Sequence, residues 1–278
     1  MKLGLALGGG GVRGLAHVPA LEMLDELGIR PDRIAGTSMG AIIGSMYAAG
    51  VSGEKIRQCV QGLTILKSDK PKDVWEKKDK LSHWFKFFRF SKGRKAILSA
   101  DGFLSLLFEG LEVEDFSDLE IPLDVVATDY YRDEKVVIGT GDLKLAVKAS
   151  MAIPGVFEPV VHDGRVLVDG GMADNLPYGV LQDDCDIVIA IDVLPVRKVD
   201  ETEPPNLVTA VLGMFDTLIE RNTEDRLNED PPTIYVRPEL RDIGTLDFDQ
   251  VESVYEQSAP AIEKLRKILQ EMQERGQL

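Results

Sequence analysis

Little in this chain invites a covalent or metal-built framework. Cysteine occurs twice in 278 residues, as Cys59 and Cys185, so no disulfide scaffold is expected and a reducing cytoplasm fits best. Histidine is almost as scarce, with three residues, His17, His83 and His162. The acidic turn Asp183-Asp184-Cys185-Asp186 has no histidine or other ligand set beside it, which suits a solvated turn better than a metal site. No run approaches the roughly 18 uninterrupted apolar residues of a membrane span. The apolar start breaks at once into Gly8 to Gly11, too short and glycine-rich for a secretory leader. Positive charge is also in deficit: 32 Lys and Arg face 47 Asp and Glu, for a net charge of −15. A general nucleic-acid binder needs a net basic surface and is excluded. Any contact with an anionic surface must come from a local patch.

What is present is ordinary globular material, 44% hydrophobic, enough for a sizeable core. Leu3 to Leu7 predicts a strand ending in glycines, and Leu15, Val18, Leu21, Leu24 and Leu27 give Val12 to Leu27 helical spacing. Arg33 to Ala35 predicts a brief strand running into Gly36, and Met39 to Ala49 an inward-packed helix. Gly53 to Gln61 predicts a helix, followed by an insert or lid reaching to about residue 100. Further strands are expected at Ile121 to Thr128 and Lys135 to Ile138, and a short helix at Leu143 to Ala149. Val160 to His162 and Arg165 to Asp169 flank Asp163-Gly164, a dipeptide that tolerates the positive φ of tight hairpins. Asp186 to Val193 reads as a strand covered on both faces. Ile234 to Val236 is a last strand between helices at Leu207 to Leu227 and Asp249 to Arg275. Strands alternating with helices imply an α/β fold, a mainly parallel central sheet sandwiched by helices. Without repeats or a clear boundary, residues 1–278 are expected to form a single domain with its insert around 62–100.

Three constellations could carry chemistry. Gly36-Thr37-Ser38-Met39-Gly40 is a G-x-S-x-G pattern, in which glycines let a tight turn hold a serine hydroxyl clear of a sheet. It falls between a strand and an apolar helix, the context such a nucleophile requires; the alternative is a serine capping a buried helix. Gly8 to Gly14 contains a literal G-x-G-x-x-G at Gly9, Gly11 and Gly14. A dinucleotide site also expects an acid at the end of the second strand, whereas here Asp32 precedes that strand and Gly36-Thr37-Ser38 ends it. Unhindered N–H groups at a helix start can instead stabilise an oxyanion, with Arg13 adding positive potential. His17 on the first helix is a candidate base, but neither His83 nor His162 is placed to complete a Ser-acid-His order. Val168-Asp169-Gly170-Gly171 presents a carboxylate at a strand end. Spacing alone leaves open whether Asp169 is a base or a turn residue accepting N–H bonds.

Taken in order, Gly9-Gly10-Gly11-Val12-Arg13-Gly14, Gly36-Thr37-Ser38-Met39-Gly40, Ala149-Ser150-Met151-Ala152-Ile153-Pro154-Gly155-Val156-Phe157-Glu158-Pro159 and Asp169-Gly170-Gly171 resemble the motifs of the patatin-like phospholipase family across nearly the whole chain. The resemblance implies a patatin-like three-layer hydrolase and a Ser-Asp dyad. Ser38 would be the nucleophile, Asp169 the base and the backbone of Gly9, Gly10, Gly11, Val12 and Arg13 the oxyanion hole. The glycine of Asp-Gly-Gly stands where many relatives carry alanine. No cofactor or metal is implied. Esters of phospholipids or lysophospholipids are the expected substrates, and a non-catalytic regulatory or adaptor protein on the same fold is the alternative.

Between Leu81 and Ala100 there is no acidic residue, while Lys86, Arg89, Lys92, Arg94 and Lys95 accompany Trp84, Phe85, Phe87, Phe88 and Phe90. As a helix, this stretch would gather Trp84, Phe85, Phe87 and Phe88 on one face with Lys86 and Arg89 opposite. Such a segment suits peripheral contact at the inner face of a membrane; aromatics capping the core or a dimer contact would also explain it.

Overall fold

The computed structural model describes residues 1–64, 100–108, 111–196, 204 and 207–278. Almost all of the expected insert, with His83 and the Trp84, Phe85, Phe87 and Phe88 segment, falls outside the described residues. The strands are β1 (Leu3–Leu7), β2 (Arg33–Thr37), β3 (Leu123–Asp129), β4 (Glu134–Ile138), β5 (Val160–His162), β6 (Arg165–Asp169), β7 (Ile187–Ile191) and β8 (Ile234–Val236). The helices are α1 (His17–Glu26), α2 (Met39–Ala48), α3 (Gly53–Thr64), α4 (Ala100–Leu107), α5 (Leu143–Ser150), α6 (Gly171–Asp174), α7 (Leu207–Glu229) and α8 (Val251–Glu274).

These strands form one sheet in the order β5-β6-β3-β2-β1-β7-β8, with β4 also paired to β3. The pairings from β3 through β2, β1 and β7 to β8 are parallel, and those of β4, β5 and β6 are antiparallel. The two-residue pleat sorts the core. Leu3, Leu5 and Leu7 of β1 and Ile187, Ile189 and Ile191 of β7 enter the larger apolar cluster, which α1, α2 and α8 complete. Ala6, Ala35, Val188 and Ala190 face the other side, under Leu176, Tyr178, Leu181 and Leu227. Small residues on that face let its covering layer lie close. Burial on both faces is why β1 and β7 read as unbroken apolar runs, and each fully buried Leu or Ile contributes about 1.5–3 kcal/mol.

Local chemistry fixes several element boundaries. Asp142 caps α5 by accepting from the Leu145 N–H at 2.8 Å, satisfying an otherwise orphaned donor. Asp163 and Gly164 both take positive φ, at 47° and 72°, in the hairpin that pairs His162 with Arg165. The helix expected from Val12 is instead a 3₁₀ segment, Gly11–Ala16, leading into α1 at His17. Pro19 then falls in the first turn of α1, where its missing N–H leaves no helical bond unmade. At the other end, Asp249 lies in the 3₁₀ turn Phe248–Gln250 and α8 starts at Val251. Among the described residues, no helix is long and apolar enough to cross a membrane.

Candidate active site

The topology brings two distant residues together through one shared strand edge. β4 pairs with residues 125–129 of β3, and β2 pairs with residues 123–126 of the same strand. A strand has only two edges, so β2 lies opposite β4. β6 pairs with residues 127–129 and must also lie opposite β4, continuing the edge that β2 leaves. Thr37 therefore pairs with Val126 and Asp169 with Ala127, the next residue along. β2 and β6 run head to head, and the residue following Thr37 is Ser38.

Ser38 has φ 52° and ψ −118°, a conformation held in place by its surroundings rather than by local preference. Gly36 and Gly40 let the turn close: a Cβ on Gly36 would lie 2.6 Å from the Gly40 carbonyl oxygen, and one on Gly40 2.1 Å from that of Leu7. Ser38 precedes α2 but makes no side-chain cap. Its Oγ instead donates to Asp169 Oδ2 at 2.7 Å, so helix capping does not account for a serine here.

Asp169 is buried, and burial pushes its carboxyl up to about 6 against the opposing hydrogen bonds from Ser38 and from the Gly171 N–H. The Gly171 N–H donates to Oδ1 at 2.8 Å. The Thr128 hydroxyl donates to the Asp169 carbonyl oxygen, also at 2.8 Å. Both carboxylate oxygens are thus held, and the residue is oriented from backbone as well as side chain.

The glycine loop lines the same cavity as Ser38 and Asp169. Its N–H groups are unequally engaged. Gly9 donates to the Asn175 carbonyl at 3.1 Å, Val12 to that of Thr245 at 3.0 Å, and Arg13 to that of Gly10 at 3.2 Å. Among the described residues, Gly10 and Gly11 are the loop positions whose N–H groups have no acceptor. Gly11 has φ 58°, and a Cβ there would lie 2.1 Å from the Thr245 carbonyl oxygen. Arg13 is buried, with Nη2 on Asp216 at 2.8 Å and Nη1 on the Ile243 carbonyl at 3.2 Å. Its charge is therefore balanced by Asp216 of α7, and the free positive potential expected of it is largely neutralised.

His17 does not line either cavity that reaches Ser38. Its Nε2 lies 2.8 Å from the Gly8 carbonyl oxygen, an acceptor, so Nε2 carries the proton. Burial pulls the imidazole down to about 4 despite that bond, so at neutral pH it is an uncharged brace of the loop. His162 sits at the exposed hairpin 3.5 Å from Asp163. The Gly9, Gly11 and Gly14 pattern serves close packing as well: a Cβ on Gly14 would lie 2.6 Å from Met39 Cβ. Asp32 accepts from the Leu3 N–H at 2.7 Å, at the start of β1 and so at the opposite end of the sheet from Ser38.

Residues 5–181 match the model of the family described as patatin-like phospholipase, a span that holds Ser38, Asp169 and the glycine loop. The chain belongs to the patatin-like phospholipase family. A lysophospholipase, NTE1, of Kluyveromyces lactis is 28% identical over 91% of this chain and 18% of its own length. An NTE-family protein of Mycobacterium tuberculosis is 30% identical over 81% of this chain and 61% of its own. The chain thus spans less than two thirds of these relatives. Among solved structures, VipD from Legionella pneumophila superposes with a TM-score of 0.50 at 13% identity, over 95% of this chain and 66% of that one, a likeness of fold.

In this patatin-like site, two supporting residues escaped individual notice in the sequence. Ser150 accepts from the Ser38 N–H at 2.8 Å and donates to the Val126 carbonyl at 2.5 Å, tying the turn to β3. Asn175 holds Gly9 from both sides: its carbonyl accepts from the Gly9 N–H at 3.1 Å and its Nδ2 donates to the Gly9 carbonyl at 3.0 Å. Ser150 lay within the family-like stretch, but only its contacts give it a role; nothing local marked Asn175. Ser150→Ala strips both partners of a buried hydrogen bond. It is expected to destabilise the fold by roughly 1–3 kcal/mol and, by loosening the turn, to lower turnover by up to ~10²-fold. Denaturant midpoint and kcat measured together check this, and unchanged values for both would show that Ser150 does not hold the turn.

Proposed function

We propose that the chain is a lipid acyl hydrolase, a serine esterase that cleaves carboxylic esters of phospholipids or lysophospholipids through Ser38 and Asp169. The supporting observation is the 2.7 Å hydrogen bond from Ser38 Oγ to Asp169 Oδ2, in a cavity that also takes in Gly10 and Gly11. An ordinary aspartate is a feeble base for a serine hydroxyl, whereas a carboxyl raised to about 6 remains ionised at neutral pH and is more basic. Asp169 takes the hydroxyl proton as Oγ bonds to the ester carbonyl carbon, and the carbonyl oxygen becomes an oxyanion. The N–H groups of Gly10 and Gly11, without an acceptor among the described residues, receive it, while Gly9, Val12 and Arg13 frame the loop. Collapse breaks the bond to the alcohol oxygen, which leaves with the proton from Asp169. Asp169 then takes a proton from water as the water attacks the acyl-Ser38 ester, and returns it to Ser38 Oγ as the acyl–oxygen bond breaks, releasing the fatty acid and free Ser38.

Membership in the family and the lysophospholipase name of the yeast relative support the substrate class. The test is covalent labelling by a fluorophosphonate together with hydrolysis of lysophosphatidylcholine and phosphatidylcholine. A protein that neither takes the label nor releases fatty acid is a non-catalytic member of the fold. A cytoplasmic enzyme that meets its lipid at a membrane surface through Trp84, Phe85, Phe87 and Phe88 completes the proposal. Sedimentation with anionic vesicles is expected to carry the protein down and to fail when these four become serine; equal sedimentation of both proteins removes that contact.

A further inference from the structure

Among the described residues, two cavities open onto Ser38, and they differ in chemistry. Gly11, Ser38, Ile153 and Thr245 line both. The first also holds Arg13, Asp169, Asn175 and Asp216. The second is closed by Met39, Ile42, Met151, Phe157, Leu246 and Phe248, with no charged side chain. The first carries polar and ionic groups beside the base together with an apolar wall that includes Leu194, Leu212, Phe215 and Ile219, and the second is walled almost wholly by hydrocarbon.

The reaction geometry decides which part of an ester goes where. The tetrahedral carbon bears four substituents, and three have directions set by the site: Ser38 Oγ, the oxyanion toward Gly10 and Gly11, and the departing alcohol oxygen. That last oxygen must take its proton from Asp169, which lines the first cavity and not the second. The water of deacylation needs the same base and enters from the same side. The fourth substituent, the acyl chain, is left with the second cavity. Its hydrocarbon walls suit a methylene chain.

The geometry points to an acyl-chain pocket formed by Met39, Ile42, Met151, Phe157, Leu246 and Phe248, with the alcohol or head group on the Asp169 side under α7. This rests on Ser38 and Asp169 acting as nucleophile and base. The pocket then measures chain length. Each methylene added within it raises kcat/KM about fourfold, from about 0.8 kcal/mol per buried methylene, until the pocket is full and the gain stops.

The experiment uses the full chain and p-nitrophenyl esters from acetate to dodecanoate, each below its aggregation limit. A parallel set of octanoate esters varies only the alcohol. Ile42→Phe fills the pocket, and its break in the chain-length profile is expected at shorter acids, with about fifteenfold lost on the acid best for the unmodified protein, the worth of about two methylenes. Phe248→Ala, at a half-buried position of the 3₁₀ turn that packs on the edge of the core, moves the break to longer acids. Leu212→Trp on α7, which lines the first cavity, changes the ranking of alcohols and leaves the acyl break in place. An acyl break that ignores both Ile42→Phe and Phe248→Ala and moves with Leu212→Trp overturns the assignment. Full turnover retained in Ser38→Ala would instead overturn the catalytic reading beneath it, so the two failures are distinct.

Discussion

Ser38→Ala is expected to lower kcat/KM on lysophospholipid and on short-chain esters roughly 10⁴–10⁶-fold and to abolish fluorophosphonate labelling. The size follows from covalent catalysis: without Oγ there is no acyl-enzyme, and water would have to attack the ester directly beside the same base. Some residual rate survives, because Asp169 and the free N–H groups of Gly10 and Gly11 stay in place. The substitution also acts on Asp169. It removes the donor at Oδ2, one of the two hydrogen bonds that favour the charged carboxylate against burial. The Asp169 carboxyl should rise further above about 6, and the variant should lose about 1 kcal/mol of stability at pH 8. At pH 4, where the group is protonated in either protein, the loss is smaller, since a neutral hydrogen bond is worth less than a charge-assisted one. Unfolding midpoints at the two pH values measure this. Normal turnover in Ser38→Ala would transfer the chemistry to another residue.

The path to this serine was legible in the chain because it is local. A short apolar run, a glycine-bracketed serine and an inward helix are consecutive, and each follows from a pattern within a few residues. The hairpin at Asp163-Gly164 was legible for the same reason. The partnership of Ser38 with Asp169 was not a matter of spacing. It depends on β6 turning antiparallel and taking over the edge of β3 where β2 stops, an arrangement of four strands that no local pattern encodes. Resemblance to a family singled out Asp169; pairing geometry supplies the physical reason. Which loop N–H groups remain free was equally hidden, since the acceptors that occupy Gly9, Val12 and Arg13 come from Asn175, Thr245 and Gly10.

The covering helix shows another limit of periodicity. α7 directs Leu212, Phe215 and Ile219 into the cavity above Ser38, while Leu207, Val211, Met214 and Leu218 are exposed. With apolar residues on two faces, the helical repeat announces a helix but does not say which face meets the protein. The choice is made by tertiary contacts at both ends of its inner side. Asp216 takes the buried Arg13 at 2.8 Å, and Arg226 pairs with the buried Asp174. Removing Asp216 would strand the charge of the buried Arg13, whereas without Arg226 the Asp174 carboxylate would keep Lys135 at 3.2 Å. The inner face of α7 is thereby fixed on the site.

Asp169→Asn is expected to oppose activity and stability. Asparagine keeps the shape and can still satisfy its neighbours: its oxygen accepts from the Gly171 N–H, and its amide donates to Ser38 Oγ, whose hydroxyl turns round. It cannot accept the hydroxyl proton, so kcat/KM should fall roughly 10³–10⁴-fold, the upper part of the range for general acid-base groups. In the unmodified protein kcat/KM should lose about tenfold per unit of pH below about 6, where Asp169 protonates. The residual activity of the variant should lack that limb. Stability runs the other way. The folded carboxyl, at about 6, lies above its unfolded value of 3.8, so between these two pH values the folded state retains a proton that the unfolded chain has released. Stability attributable to the neutral group is complete below pH 3.8, declines as pH rises and is gone above about 6. The neutral asparagine escapes this loss and should make the protein more stable at pH 8 by up to about 3 kcal/mol, at about 1.4 kcal/mol per pKa unit. The advantage should vanish by pH 4. Denaturant titrations of both proteins across that range decide it. A variant that is inactive yet no more stable at pH 8 than at pH 4 would mean that burial does not raise the Asp169 carboxyl, and the base would then owe its strength to orientation against Ser38 alone.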